Sequence, residues 1–434
     1  MRRRTALAAA AAGLALVAVA PASASPNAVG AQRVASLPAD FLWGVSASGF
    51  QTEGHSPDSN WTRLATTGQL ADQVGTSVDF LHRYPEDIRN AKELGARVYR
   101  ISIEWARLEP EPGHYDPAAW QFYDDVLATI HAAGMRPMIT LDHWVYPGWA
   151  FDRGGWNRPD MYTDWLANAR KVVDRYADLD PLWITFNEPS AYVFQEVRTG
   201  GVTPQNIPAA LDRWVRSHRE IYDYIHAAHP GAMVSSNVTY FPIAEAAVDT
   251  TFLDRVTDKL DFIGLDYYYS MSPTDLSYSN TFSEPWKSNT AADGVYYALR
   301  HYAKAFPGKP LYVVENGMPT ENDAPRPDGY DRADHLDDSI YWMQRAVNEG
   351  AEVIGYNYWS ITDNYEWGTY TSRFGLYTVD VKNDPTLTRR PTTAVDAYRT
   401  LITNGGVRPD YTPTRPSTWC SLVDGLDSCL DPAE

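Results

Sequence analysis

From residue 41 onward, short apolar runs alternate with longer stretches in which apolar positions recur every three or four residues. The runs at 41–48, 97–103, 136–141, 182–186, 233–238, 262–267, 311–314 and 353–359 are rich in Val, Ile, Tyr and Phe and predict eight buried strands. Between them the helical period predicts helices over 85–94, 118–133, 161–176, 208–228, 293–304 and 337–348. A less regular helix is predicted over 243–256 and a closing one over 392–402. Strand and helix in alternation imply a parallel sheet, and eight such units close into a (β/α)8 TIM barrel; an open doubly wound sheet is the alternative. The open sheet ordinarily carries a Gly-rich phosphate turn after an early strand, and this chain has neither that turn nor a P-loop. Barrel chemistry sits at the C-terminal ends of the strands, so reactive side chains are to be sought there.

The N-terminus breaks this pattern. Arg2, Arg3 and Arg4 precede an Ala/Leu/Val stretch ending at Ala20, and Ala22, Ser23 and Ala24 follow, which predicts a signal peptide over residues 1–24. The apolar part, about 15 residues, is shorter than the roughly 20 a membrane-spanning helix needs. No later segment is both long and uncharged, so no membrane span is expected. Export is expected by the general secretory route, or by twin-arginine export, since Arg3, Arg4 and Leu7 loosely fit that signal. The predicted organisation is one catalytic barrel over 25–405 and a Pro-rich tail over 406–434. That tail holds both cysteines of the chain, Cys420 and Cys429, and in an exported protein they predict a disulfide.

The formal net charge of −18 becomes −21 once the three leader arginines are removed, which argues against nucleic acid or an anionic membrane surface as partner. A neutral small molecule fits better. Aromatic residues make up 13% of the chain, with 15 Trp and 28 Tyr, and such flat faces with polar edges suit sugar rings as well as a Trp-rich core. Oligomeric state has no signature in the sequence.

At the end of the fourth strand the chain reads Thr185-Phe186-Asn187-Glu188-Pro189, and at the end of the seventh Val314-Glu315-Asn316-Gly317. Two carboxylates therefore face one barrel mouth from strands lying roughly across from each other. Pro189 and Gly317 stop the strands at once and are predicted to leave each Glu exposed at the rim. Glycoside hydrolysis needs such a pair: one carboxylic acid to protonate the leaving oxygen, one carboxylate to attack or to activate water. A single Glu would read as a rim ion-pair partner, but two matched motifs at strand ends favour catalysis.

The TFNEP and ENG signatures at 185–189 and 315–317 resemble those of family 1 of the glycoside hydrolases, the β-glucosidase family, and the likeness runs over almost all of the mature chain. The resemblance implies a retaining double displacement with Glu188 as general acid/base and Glu315 as nucleophile. Two carboxylates about 5 Å apart cannot easily both ionise, so the less solvated one keeps its proton. By the same resemblance, Arg100 in Tyr99-Arg100-Ile101-Ser102 sits beside the nucleophile, and Tyr268 hydrogen-bonds it. Asn187 holds the sugar 2-hydroxyl. Gln51 and the His143-Trp144 pair meet the glycone, although singly Gln51 reads as a loop residue and His143 as a core histidine. Trp359 is the sugar platform, Glu366 and Trp367 take the far hydroxyls, and Phe374 follows at the family spacing.

Departures fall around the same site. Asp266-Tyr267-Tyr268 stands where the family has Asn-Tyr-Tyr, and the extra negative charge of Asp266 beside the substrate is expected to raise the pKa of the acid. Asp142 replaces a Tyr before His-Trp, Val145-Tyr146-Pro147 replaces Asp-Leu-Pro, and the loop after Trp367 is short. These changes leave the two-glutamate chemistry intact and bear on which glycone is preferred. The function expected is a secreted β-glucosidase-like hydrolase of terminal β-linked sugars. A transglycosylase or natural-product deglycosylating enzyme with the same two glutamates, and a non-catalytic carbohydrate-binding protein, are the alternatives. Scattered His residues and the Cys spacing predict no metal site, and the chemistry calls for no cofactor.

Overall fold

The computed structural model describes residues 33–240, 245–269 and 284–415, with the backbone alone for 245–247. The signal peptide expected over 1–24 and the Cys420–Cys429 pairing lie outside the described residues.

Eight strands form a closed parallel barrel: β1 Leu42–Ser46, β2 Val98–Ser102, β3 Arg136–Thr140, β4 Leu182–Asn187, β5 Met233–Thr239, β6 Ile263–Tyr267, β7 Leu311–Asn316 and β8 Val353–Trp359. The ring closes where β1 pairs with β8, from Leu42 against Gly355 to Ser46 against Trp359. This is the (β/α)8 architecture predicted. Inside the barrel Val98, Met138, Leu182, Ile184, Phe262, Tyr312 and Val314 form one buried cluster, while the outward faces join a larger cluster beneath the helices. Burial on both faces is why each strand reads as a nearly unbroken apolar run. β4 and β7 continue past those runs to Asn187 and Asn316, which brings Asn187 and Glu315 to the barrel mouth while the Asn316 amide donates to the Tyr267 carbonyl and accepts from the Tyr356 hydroxyl, and β5 and β6 lie between the two strands.

Helix boundaries depart from the periodicity in instructive places. Phe80–Leu94 begins five residues before Pro85, which sits inside it. The helix lacks one backbone bond there, but Phe80, Ile88 and Leu94 are buried and hold it to the barrel. Arg332–Asn348 starts earlier than predicted because Asp331 and Asp334 form a reciprocal capping box with two acids. The single helix predicted over 243–256 is two, Glu245–Thr251 and Leu253–Val256, interrupted at the buried Phe252. The pattern missed Pro189–Thr199 altogether: Pro189 ends β4 and, as the first residue of a helix, also begins one.

Candidate active site

A cavity of about 580 Å³ opens at the C-terminal mouth of the barrel, a size typical of small-molecule sites. Its wall includes His143, Trp144, Asn187, Glu188, Tyr268, Glu315, Trp359, Glu366, Trp367 and Phe374. Gln51, Arg100 and Asp266 lie fully buried behind that wall.

Glu315 extends from β7, where Asp266 of β6 is its register partner. Its Oε1 forms an ion pair with Nη1 of Arg100, a residue with no exposed surface. The rest of the guanidinium is also spoken for, since Nη2 donates to Asn187 Oδ1 at 2.6 Å and Nε to Thr140 Oγ1 at 2.9 Å. Tyr268 donates its hydroxyl to Oε2 of Glu315 at 2.6 Å. Both carboxylate oxygens are therefore held by donors, the condition under which a buried ion pair is tolerated. The glycine of the ENG motif has a steric cause: a Cβ on Gly317 would stand 2.0 Å from the carbonyl oxygen of Trp359.

Glu188 occupies the left-handed region, φ 44° and ψ 63°, at the junction of β4 and the Pro189–Thr199 helix. A residue before proline is driven out of the helical region, and this conformation costs a non-glycine residue about 1–2 kcal/mol. Its Oε1 accepts from the Thr239 hydroxyl and its Oε2 from Asn187 Nδ2 at 3.4 Å. Burial, reinforced by the charge of Glu315, pushes the Glu188 pKa up to about 8; Thr239, Arg100 and Asn187 pull the other way. The rim exposure predicted for both glutamates is not found: Glu188 is 7% and Glu315 4% exposed, because the loops and the Pro189–Thr199 helix stand up around the mouth.

The coupling expected between Asp266 and the acid is mutual: burial, then Glu315 and Glu188, push the Asp266 pKa well above the usual carboxyl range, while the largest causes of the Glu188 shift are burial and Glu315. With Arg100 committed to Glu315 and Asn187, burial and the two glutamates favour the neutral form of Asp266. Its Oδ2 accepts from Asn237 Nδ2, which also donates to Asn187 Oδ1 at 2.7 Å, and its Oδ1 has no hydrogen-bond partner. Asn237 and Thr239 were missed in the sequence. Their signal was present, since Ser235-Ser236-Asn237-Val238-Thr239 puts polar residues at the C-terminal end of an otherwise apolar strand.

The opposite wall is aromatic. His143 stacks between Trp359, at 6.0 Å and 20°, and Trp367, at 5.8 Å and 18°. Burial and then the Arg100 charge hold its pKa well below the usual histidine range, so the ring is neutral, and Nδ1 is without a protein partner. Trp144, also left-handed at φ 70°, packs on Trp367 at 4.6 Å and donates Nε1–H to the Asn187 carbonyl at 2.8 Å. Asp142 accepts the Trp144 backbone N–H at 2.9 Å, and burial pushes its pKa up to about 7. Phe374 meets Tyr268 edge to face at 5.6 Å.

Glu366 is pushed up to about 8 by burial and then by Glu315. Gln51 donates to Glu366 at 3.4 Å and to Asn364 Oδ1 at 3.1 Å, and accepts from Ser48 at 2.7 Å. Rather than meeting the cavity as predicted, Gln51 holds Glu366 from behind. Among the described residues, no group of three His, Cys, Asp or Glu side chains is placed to hold a metal ion, and no helix is long and apolar enough to cross a membrane.

Comparison with known proteins agrees with this geometry. The chain is 26% identical over 464 residues to Beta-glucosidase 47 of Arabidopsis thaliana, covering 86% of each chain. It is 27% identical over 448 residues to Beta-glucosidase A of Acetivibrio thermocellus, covering 86% of this chain and 99% of that one. The family 1 β-glucosidase structure from Thermotoga maritima shares the fold with a TM-score of 0.74 at 23% identity, covering 86% of this chain and 99% of that one. The sequence profile of glycosyl hydrolase family 1 matches residues 33–240 and 242–407, and the protein belongs to that family.

Proposed function

We propose that this protein is an exported, retaining β-glycosidase that removes a terminal β-linked sugar by double displacement. The observation that carries this reading is the pair itself: Glu315 held on both oxygens by Arg100 and Tyr268, beside a buried Glu188 that keeps its proton. In the first step an oxygen of Glu315 attacks the anomeric carbon while Glu188 gives its proton to the glycosidic oxygen, and the aglycone leaves. The bond to the sugar cancels the Glu315 charge. That removes the second-largest cause of the raised Glu188 pKa, so the carboxylate formed in step one is a base suited to deprotonate water in step two. Water then attacks the anomeric carbon from the face the aglycone left, and the sugar departs with its β configuration.

Around the sugar, Asn187 is assigned to the 2-hydroxyl, neutral His143 and Glu366 to the remaining hydroxyls, and Trp359 with Trp367 to the ring. The β-glucosidase relatives favour a glucose-like glycone, while Asp266 and Asp142 mark where this chain departs from them. Residues 1–24 support export, and 25–405 form the catalytic unit.

The test is hydrolysis of nitrophenyl β-glucoside, galactoside, fucoside, xyloside and mannoside, following by NMR the anomer first released. A β-anomer from any of them upholds the assignment. An α-anomer would overturn the retaining mechanism, and no turnover across the panel would overturn the activity.

A further inference from the structure

Beyond the two glutamates the cavity changes character. Its floor presents the carboxyl groups of Glu188, Glu315 and Glu366, whereas its outer wall is one face of the Pro189–Thr199 helix. Ala191, Phe194, Gln195 and Arg198 line the cavity from that helix, at the i, i+3, i+4, i+7 spacing of a single face. Phe194 is 61% exposed, the only large apolar side chain so exposed among the described residues, and Leu70 lines the same cavity. An apolar ring left in water at the lip of a pocket marks a surface that a ligand can cover.

Arg198 is the only cation among the described lining residues. It donates to the Trp367 carbonyl at 3.5 Å and its guanidinium stands 5.7 Å from the centre of the Trp61 ring, but among the described residues it makes no ion pair with a carboxylate. In a chain of net charge −18 an arginine without an acid, at the mouth of a pocket with an acidic floor, is a site for an anion.

We infer that this wall is a leaving-group subsite for a flat apolar aglycone bearing an anionic group, with Phe194 covering its face and Arg198 pairing with the charge. The inference rests on the β-glycosidase reading and specifies the substrate class of the same cavity. Placement on the aglycone follows from two features. The Glu315 carboxylate at the floor, whose charge already raises the pKa of Glu188 and Glu366, disfavours an anionic sugar, and Phe194 and Arg198 belong to the helix that begins just after Glu188, the residue assigned to protonate the leaving oxygen. Ten residues separate Glu188 from Arg198, a rise of about 15 Å, so the anion lies roughly two aromatic rings from the glycosidic oxygen.

The test uses the full-length protein and the glycone that the nitrophenyl panel identifies. Three substrates are compared: the β-glycoside of 4′-hydroxybiphenyl-4-carboxylic acid, that of its methyl ester, and the β-glycosyl fluoride. We expect kcat/KM for the acid to exceed that for the ester about tenfold at low ionic strength, through KM, and added salt to shrink the ratio. R198Q should bring the ratio to about one, and F194A should raise KM for acid and ester together. Sulfonate and phosphonate analogues that outpace the ester equally identify charge as the feature read; a preference confined to one of them identifies that anion. The fluoride leaves as a single atom that cannot reach the helix, so its turnover reports the two-glutamate chemistry and the integrity of each variant. An ester cleaved as well as the acid, or a ratio that survives R198Q while the fluoride is turned over, would overturn the inference. Failure to cleave the fluoride would instead overturn the glycosidase reading beneath it.

Discussion

Tyr268 donates its phenolic proton to Oε2 of Glu315 across 2.6 Å, the oxygen opposite the one that Arg100 holds. The Glu315 carboxylate is thereby fixed in orientation before any sugar arrives, and under the proposed double displacement the donor must be released or redirected when that carboxylate becomes an ester. Tyr268→Phe keeps the edge-to-face packing on Phe374 and removes only the hydroxyl. We expect kcat to fall by about 10²-fold, the scale for removing one preorganised donor. Steady-state kinetics on an activated aryl glycoside checks this; an unchanged kcat would show that Arg100 alone suffices.

Glu315→Ala removes the proposed nucleophile and leaves a gap beside Arg100. Turnover should fall by at least about 10⁴-fold, and azide should restore part of it with an activated substrate, giving the α-glycosyl azide. NMR of the product distinguishes the two anomers. Rescue yielding the β-azide would move the nucleophile to another residue.

With Glu188 as the proposed acid, its pKa is expected to set the alkaline limb of the pH profile. The acid form is required for the first step, and with the pKa raised to about 8 it persists through neutral pH and is lost as pH rises through that value. The Thr239 hydroxyl favours the charged form of Glu188, so Thr239→Val should move the alkaline limb of kcat/KM upward, away from neutrality. Glu188→Gln should abolish the limb and slow substrates with poor leaving groups by roughly 10²- to 10⁴-fold, while sparing the first step for dinitrophenyl glycosides that need no proton.

Asp266 links the site to stability. Its folded pKa lies above its unfolded value of about 3.9, so between the two the unfolded chain binds fewer protons and stability declines as pH rises. Asp266→Asn removes that dependence. The variant should be more stable than the parent at pH 7, with the difference closing as pH approaches 4. Urea unfolding at both pH values measures it, and an equal difference at each would mean that Asp266 does not change protonation on folding.

The barrel and its two glutamates were legible in the sequence because the signals that specify them are local. A strand buried on both faces announces itself as an apolar run, as in 182–186 and 311–314, and a Glu placed within two residues of the end of such a run, before Pro189 or ahead of Gly317, must stand at the barrel mouth. What the neighbours do to those glutamates was not legible. Arg100 and Glu315 meet across 215 positions of sequence, Gln51 and Glu366 across 315, and Asn237 and Asp266 are brought together by the pairing of β5 with β6. Periodicity therefore determined the elements and where the carboxyl groups emerge. The tertiary structure alone decided that the rim was buried, that Gln51 faces Glu366 rather than the cavity, and that burial, ahead of both glutamates, raises the pKa of Asp266. Protonation and exposure depend on which distant atoms exclude water from a group, and that is a property of the closed barrel and its loops rather than of any one segment.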